Sequence, residues 1–292
     1  MTAETRSRLV GVRSTSARRV EAACKAVRRS RHVRGRVSFV IRELRKSPRS
    51  RTYELRSGGY IHIRHQGVDA FLIEEILENQ IYRIPEGARS ALAALDREPR
   101  IVDLGANIGL ASHRLLSEFP AGSVVGYEPD PDTASVLRRF VAENSLGDRY
   151  EVVEACAGPV DGEVTFRALG SPLSREVDPA QARENEVLTR LPQRDVFPHL
   201  ERADLIKIDI EGAEWPILQD PRWPKVKACA VVLEFHARPH LKRPAVEEAR
   251  DALEHAGYSV ELRELRPAEN GADATGVLWA WRTPKQVPNG SP

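Results

Sequence analysis

The sequence predicts an α/β protein built on a mostly parallel seven-stranded sheet with one antiparallel strand, helices on both faces, and a small hairpin and helix ahead of it. Three observations predict it. Ile101–Gly109 reads IVDLGANIG, an apolar run that closes on an acid and passes through a Gly-rich turn into an amphipathic stretch. A parallel strand hands over in this way to a helix whose N-terminus meets a ligand. Val124–Asp130, VVGYEPD, repeats the handover one unit later. Beyond it, short apolar runs alternate with segments of helical period as far as Arg282, which implies parallel strands joined by right-handed crossovers.

Residues 1–50 form a basic, Arg-rich extension: 15 Lys and Arg stand against 3 Asp and Glu, net +12, while the rest of the chain carries net −10. Within Ser16–Leu44, Val20, Cys24, Val27, Val33, Val37, Val40, Ile41 and Leu44 recur at helical spacing among the arginines. One or two basic amphipathic helices are expected, broken near Gly35. The extension reads first as a partly disordered or surface-docked leader. Attachment to an anionic membrane surface, attachment to nucleic acid, and a transit peptide are the alternatives. Its only aromatic residue is Phe39, so it offers no stacking platform for single-stranded nucleic acid.

Residues 51–98 follow as a cap segment. Arg51–Arg56 and Tyr60–His65 flank Ser57, Gly58 and Gly59 like the arms of a β-hairpin, and Val68–Asn79 has the apolar spacing of a short helix. The segment is positioned to cover one side of a pocket.

The core domain spans residues 99–284. Strands are expected at Arg100–Leu104, Ser123–Glu128, Tyr150–Cys156, Asp204–Asp209, Ala228–Phe235, Tyr258–Leu262 and Gly276–Arg282, the last following a loop and inserting antiparallel. Helices are expected at Ile108–Phe119, Pro131–Ser145, Glu214–Asp220 and Pro244–Ala256. Between Gly158 and Arg202 the rhythm breaks. Asp161 and Gly162 turn a small hairpin that includes Glu163–Arg167, and Leu169–Val187 reads as a lid over the acceptor or as a surface insertion. Residues 285–292 form a flexible tail.

Composition bounds the class of protein. With 292 residues, 41% hydrophobic and 29% charged, the chain can bury a substantial single core. No apolar run approaches the length needed to span a bilayer, so a protein of the cytoplasm is expected. Cys24, Cys156 and Cys229 are widely spaced and include no CxxC pair, which argues against a disulfide framework and a zinc site.

The cofactor follows from the turn and two acids. A pyrophosphate site wants GxGxxG, whereas Gly105 and Gly109 frame Ala106, Asn107 and Ile108 as GxxxG, so a nicotinamide dinucleotide is disfavoured. Asp103, closing the first strand, would repel a diphosphate but can hold an amino acid's ammonium. Glu128, closing the second, can accept from two ribose hydroxyls. An amino group, a ribose and no phosphate describe S-adenosylmethionine. Gly105 and Gly109 let the backbone approach it, and Asn107 can bond it or cap the next helix. Asp130 and Cys156 are candidates for its adenine edge, with a helix cap as the other reading of Asp130.

This order of residues resembles the class I methyltransferases, which are Rossmann-like. Asp204–Glu214, DLIKIDIEGAE, with Val231–His236, VVLEFH, narrows the likeness to the FkbM-type methyltransferase family. The resemblance runs from about Val68 to Trp281 and implies O-methyl transfer to a hydroxyl of a sugar, polyketide or similar small molecule; it also implies that the cap segment lies beside the active site, which makes His65 and Tyr82 candidates for substrate contact, beside the plainer roles of strand residue and packing aromatic. Spacing alone does not show that acceptor.

Chemistry is expected where the fourth and fifth strands end, because open sheets bind ligands beyond the carboxyl ends of their strands. Asp209, Glu211, Glu234 and His236 converge there. Asp209 and His236 are the candidates for a base that takes the acceptor's proton, Asp209 by position and His236 by its ordinary pKa. A buried Lys207 needs a counter-charge, expected from Glu211 or Glu234. Glu214 reads as part of an ion-pair network at the sheet edge. No metal is predicted, although Asp209, Glu234 and His236 could hold a divalent ion. Rival functions are an RNA or protein methyltransferase using the basic extension, and a cofactor-binding module without catalysis. Nucleic acid is not the expected partner, and the oligomeric state is not legible.

Overall fold

The structure is a computed structural model that describes residues 15–167, 175–176, 188–267 and 274–282. Most of the expected lid at 169–187 and the whole tail at 285–292 lie outside the described residues. The chain begins with helices α1 (Thr15–Arg29) and α2 (Arg36–Leu44), the antiparallel hairpin β1 (Arg51–Glu54) and β2 (Tyr60–Ile63), and α3 (Asp69–Leu72). The helix α3 continues as a π-helical segment, Ile73–Glu78, before α4 (Glu86–Ala93).

The core then runs β3 (Arg100–Leu104), α5 (Leu110–Glu118), β4 (Ser123–Tyr127), α6 (Pro131–Glu143) and β5 (Tyr150–Val153). Short strands β6 (Cys156–Gly158), β7 (Gly162–Arg167), β8 (Arg175–Glu176) and β9 (Leu188–Asp195) and the helix α7 (Phe197–Leu200) interrupt it. It resumes with β10 (Leu205–Ile208), α8 (Glu214–Leu218), β11 (Ala230–His236), α9 (Ala245–His255), β12 (Ser259–Pro267) and β13 (Ala274–Trp281).

Seven strands make the main sheet in the order β12-β13-β11-β10-β3-β4-β5. Neighbours from β11 to β5 are parallel, and β13 lies antiparallel between β11 and β12. The expected sheet with one antiparallel strand is therefore the one observed.

Alternation along each strand explains the layers, because successive side chains point to opposite faces. Ile101, Leu205, Ala230 and Val277 join one core with residues of α4, α5 and α6, while Val102, Ile206, Val231 and Leu278 join a second with α7, α8 and α9. Both faces are covered, which is why β10 is buried at all four positions. The first core also takes in Val33 and Phe39, so from Val33 onward the basic stretch packs as part of the main body.

One expected strand divides. Tyr150–Cys156 breaks at Glu154 because β5 ends in the main sheet, while Cys156 starts β6 alongside β9 in a separate four-stranded sheet, β6-β9-β7-β8. The hairpin expected to turn at Asp161 and Gly162 does not form, because β9 lies between β6 and β7 and pairs with both; Glu163–Arg167 lies in β7, antiparallel to β9.

Strand order fixes where a ligand goes. From β3 the chain steps to β4 and β5 on one side, then crosses to β10 and β11 on the other, so the direction reverses between β3 and β10. Open α/β sheets leave a crevice at the carboxyl ends of the strands at such a point.

Candidate active site

A cavity of about 430 Å³ occupies that crevice, within the usual range for small-molecule sites. Its walls come from the turn after β3 and from the carboxyl ends of β4, β10 and β11. The start of β6 and the α3 and π-helical segment close its sides.

The turn after β3 is built for close approach. Gly105 (φ 83°), Asn107 (φ 50°) and Gly109 (φ 90°) all adopt left-handed conformations. A Cβ at Gly105 would run into the carbonyl oxygen of Asp209, and one at Gly109 into the Phe140 ring, so both positions require glycine on two counts. Asn107 lines the cavity, and its buried Oδ1 has no hydrogen-bond partner among the described residues. Glu128 is 7% exposed at the end of β4 and accepts from the backbone N–H groups of Asn107 (3.0 Å) and Asp130 (2.9 Å). Burial pushes its carboxyl up to about 7, against the pull of those two donors and of Lys207. Glu128 has lone pairs to spare and Asn107 has an unused acceptor, so a ligand rich in hydroxyl and amino donors fits this half of the cavity.

Asp103 corrects an expectation. It does not line the cavity, is fully buried, and accepts from Ser112 Oγ at 2.6 Å, with Lys207 Nζ 3.0 Å from its other oxygen. It is therefore a counter-ion to Lys207 and is not exposed to a ligand's ammonium. The pairing expected for Lys207 is corrected with it. Its partners are Asp103 and, at 3.5 Å, Asp209, in place of Glu211 or Glu234, and it donates to the carbonyl of Gly105 at 2.9 Å. Strand register is the reason, since β10 pairs with β3 so that Lys207 and Asp103 are direct neighbours on one face.

Asp130 takes the role of a cap. Its carboxylate accepts from Thr133 N at 3.0 Å with Pro131 as the first helical residue, and it does not line the cavity. Cys156 does line it, at the point where the chain leaves the main sheet.

The other half of the cavity carries ionisable groups. Asp209 follows β10 and receives a hydrogen bond from Tyr82 Oη at 2.8 Å. Burial alone would raise its carboxyl, but Lys207, His236 and the Tyr82 bond together hold it below the ordinary range, so it is ionised at neutral pH. Glu234, one strand over, lies 3.4 Å from the same hydroxyl and 3.1 Å from Arg266. Burial and the nearby carboxylates of Asp209 and Glu75 push Glu234 up.

His236 sits between two carboxylates, its Nδ1 3.4 Å from Glu214 and its Nε2 3.6 Å from Glu211. Burial opposes its charge, yet Glu214, Glu211 and Asp209 outweigh that and raise its pKa to about 9. His236 is an imidazolium at neutral pH, so the expectation that its ordinary pKa suits it as a base is corrected. Glu211 lines the cavity as part of this ion pair. Glu214 is the network residue expected: fully buried, it accepts from the backbone N–H of Gly212 (2.7 Å) and of His236 (2.6 Å) and so ties α8 to β11.

Asp209, Glu234 and His236 each offer a ligand atom, all within 4.8 Å of one another. The charge environment works against a dication there, because Lys207 and Arg266 already neutralise the two carboxylates at 3.5 and 3.1 Å. His65, a candidate for substrate contact, is fully buried away from the cavity between Tyr53 and Glu43. Tyr82, the other candidate, is in the site. Arg266 and Glu75 escaped sequence reasoning, since 191 residues separate them and only the fold brings them to 3.0 Å. The polar run Glu74–Glu75 in an otherwise apolar segment was the one available signal.

The Methyltransferase FkbM domain matches residues 103–260. Methyltransferase sdnD of Sordaria araneosa is 27% identical over 226 residues, covering 65% of this chain and 82% of that protein. Methyltransferase 1 of Beauveria bassiana is 25% identical over 159 residues, covering 46% of this chain and 64% of that protein. Among solved structures, precorrin-6y C5,15-methyltransferase from Geobacter metallireducens aligns with TM-score 0.39 and 17% identity over 67% of this chain and 85% of its own. A SAM-dependent methyltransferase from Agrobacterium tumefaciens aligns with TM-score 0.43 and 10% identity over 80% and 70%. With a match that spans the glycine turn, β10 and β11, and more than half of the sequence, the chain belongs to the FkbM methyltransferase family.

Proposed function

We propose that this methyltransferase moves the methyl group of S-adenosylmethionine to a hydroxyl oxygen of a small or glycosidic acceptor, with Asp209 receiving the hydroxyl proton. One observation carries the reading: an ionised carboxylate lines the cavity beside the glycine turn, held in place by Tyr82 and Lys207. The donor supplies an electrophilic methyl on a sulfonium, whose charge disappears on transfer, so the protein's part is alignment, exclusion of water and proton removal.

Glu128 would hold the donor's ribose and Asn107 Oδ1 would accept from its polar end, with Gly105 admitting the backbone to van der Waals contact, whereas Gly109 lies off the cavity against the Phe140 ring. Cys156 borders the adenine. With Asp103 hidden, the ammonium would be met by the unused Asn107 Oδ1. His236 and Glu211 form a fixed ion pair on the acceptor side, and Glu234, paired with Arg266, can accept from an acceptor hydroxyl. Incubation with radiolabelled methyl donor and a fractionated extract tests the reading; label in a product whose methyl resists base as an ether does is the expected result. Labelled protein or RNA alone would overturn it.

Two further results are expected. Glu128 must be ionised to accept from two ribose hydroxyls, and its carboxyl titrates near 7. The neutral form dominates below that pH, so donor affinity falls as pH drops, by roughly tenfold per unit at the steep limit. It levels off above about pH 8. Calorimetry from pH 5.5 to 8.5 checks this, and Glu128→Gln should remove the slope along with most of the affinity. Turnover should also be indifferent to EDTA. Loss with chelator and recovery with Mg²⁺ would instead make Asp209, Glu234 and His236 ligands.

A further inference from the structure

Helices α1 and α2 turn an unusual side to solvent. What they bury is Ala26 in α1, with Ser30 just beyond it, and Phe39 and Glu43 in α2. The apolar residues left over are spaced i, i+4, i+7 in each: Val20, Cys24 and Val27, then Val37, Ile41 and Leu44. That spacing lines each trio along one side of its helix. All six are exposed, Val20 by 64% and Val37 by 74%. Five of the ten exposed large hydrophobic residues among those described lie in these two helices. A helix facing water ordinarily carries charge along such a side.

Charge flanks both stripes. Between residues 15 and 46 there are eleven Lys and Arg against two Glu, and the exposed arginines include Arg18, Arg19, Arg36 and Arg45. Both acids are engaged locally, Glu21 with Lys25 and Glu43 with Lys46. The helices are nevertheless fastened to the body. Arg28 and Arg29 pair with Glu74, and the Arg29 guanidinium lies 5.8 Å from the Phe71 ring, which lines the mouth of the cavity.

We propose that α1 and α2 dock the protein on an anionic lipid surface, with the two apolar stripes entering the headgroup region and the flanking arginines meeting the lipid phosphates. Exposed apolar stripes edged by arginine are what such a surface accommodates, through buried area and charge complementarity together. A nucleic acid would use the charge but not the stripes. A second copy would bring the same positive charge against itself. Docking holds the Phe71 rim of the cavity beside the bilayer and does not depend on the acceptor's identity.

Sedimentation of the full chain with phosphatidylcholine vesicles, with and without phosphatidylserine, tests this. Binding to the anionic vesicles alone is expected, weakened by salt, and Val37→Glu with Ile41→Glu should reduce it at least about tenfold while methyl transfer to a soluble acceptor and Tm stay unchanged. Arg18→Glu with Arg19→Glu should also weaken it. Binding that ignores the stripe substitutions, or RNA retention without vesicle binding, would overturn the proposal. So would a dimer that dissociates in the stripe variant, or a Tm lowered by it, which would mean that another copy or the chain itself covers the stripes.

Discussion

Asp209→Asn lowers kcat by about 100-fold to 10,000-fold while donor affinity and Tm change little, if this carboxylate takes the acceptor's proton. The size follows from what a positioned base contributes, and the split between kcat and donor binding follows from geometry. Asp209 lies beside Tyr82, Glu234 and His236 in the cavity, whereas Glu128, Asn107 and Gly105 form the other side. His236→Gln should cost much less. Its ring is already an imidazolium clamped between Glu214 and Glu211, so the substitution removes a charge from the wall and no proton acceptor. Steady-state kinetics beside calorimetry separates the two. Full turnover in Asp209→Asn together with an inactive His236→Gln would exchange the roles.

Lys207→Met is expected to destabilise the fold by about 3–5 kcal/mol, the usual result of removing one member of a buried ion pair. Asp103, with no exposure, would be left with the Ser112 hydroxyl as its partner in place of a counter-ion, and the carbonyl of Gly105 would lose its donor. At this chain length the loss corresponds to a fall in Tm of roughly 10 °C. The double variant Lys207→Met, Asp103→Leu should recover much of it, because an apolar pair of similar volume often replaces a buried ion pair at little cost. Thermal melts of both variants decide the matter. A single variant as stable as the parent would show that the pair contributes nothing to the fold. Turnover should also fall, since Lys207 helps hold Asp209 ionised.

Much of this architecture was legible before any coordinates. The glycine turn after Asp103, the acid at 128, and the carboxylates at 209 and 234 carry local signatures. Period-two alternation, a conformation only glycine tolerates and a strand's last residue are all properties of a few neighbouring positions. Asp130 shows the limit of such signatures, since an acid before proline at a strand end serves a cofactor or a helix cap equally well. Only the 3.0 Å bond to Thr133 N separates the two.

What the sequence by itself determined was the order and kind of the elements, the glycine turn, and the set of ionisable residues gathered at one edge of the sheet. Tertiary structure alone decided their partners. Register between strands about a hundred residues apart set Lys207 beside Asp103 and withdrew that acid from the cavity. Two carboxylates converging on His236 from the segment beyond β10 changed its protonation state, and the outward turn of Val20 and Val37 became visible only once Phe39 had found the core. The physical reason is the range of the interactions. Backbone preference acts over one turn or one strand, whereas ion pairing and desolvation act through space between residues that chain order leaves far apart.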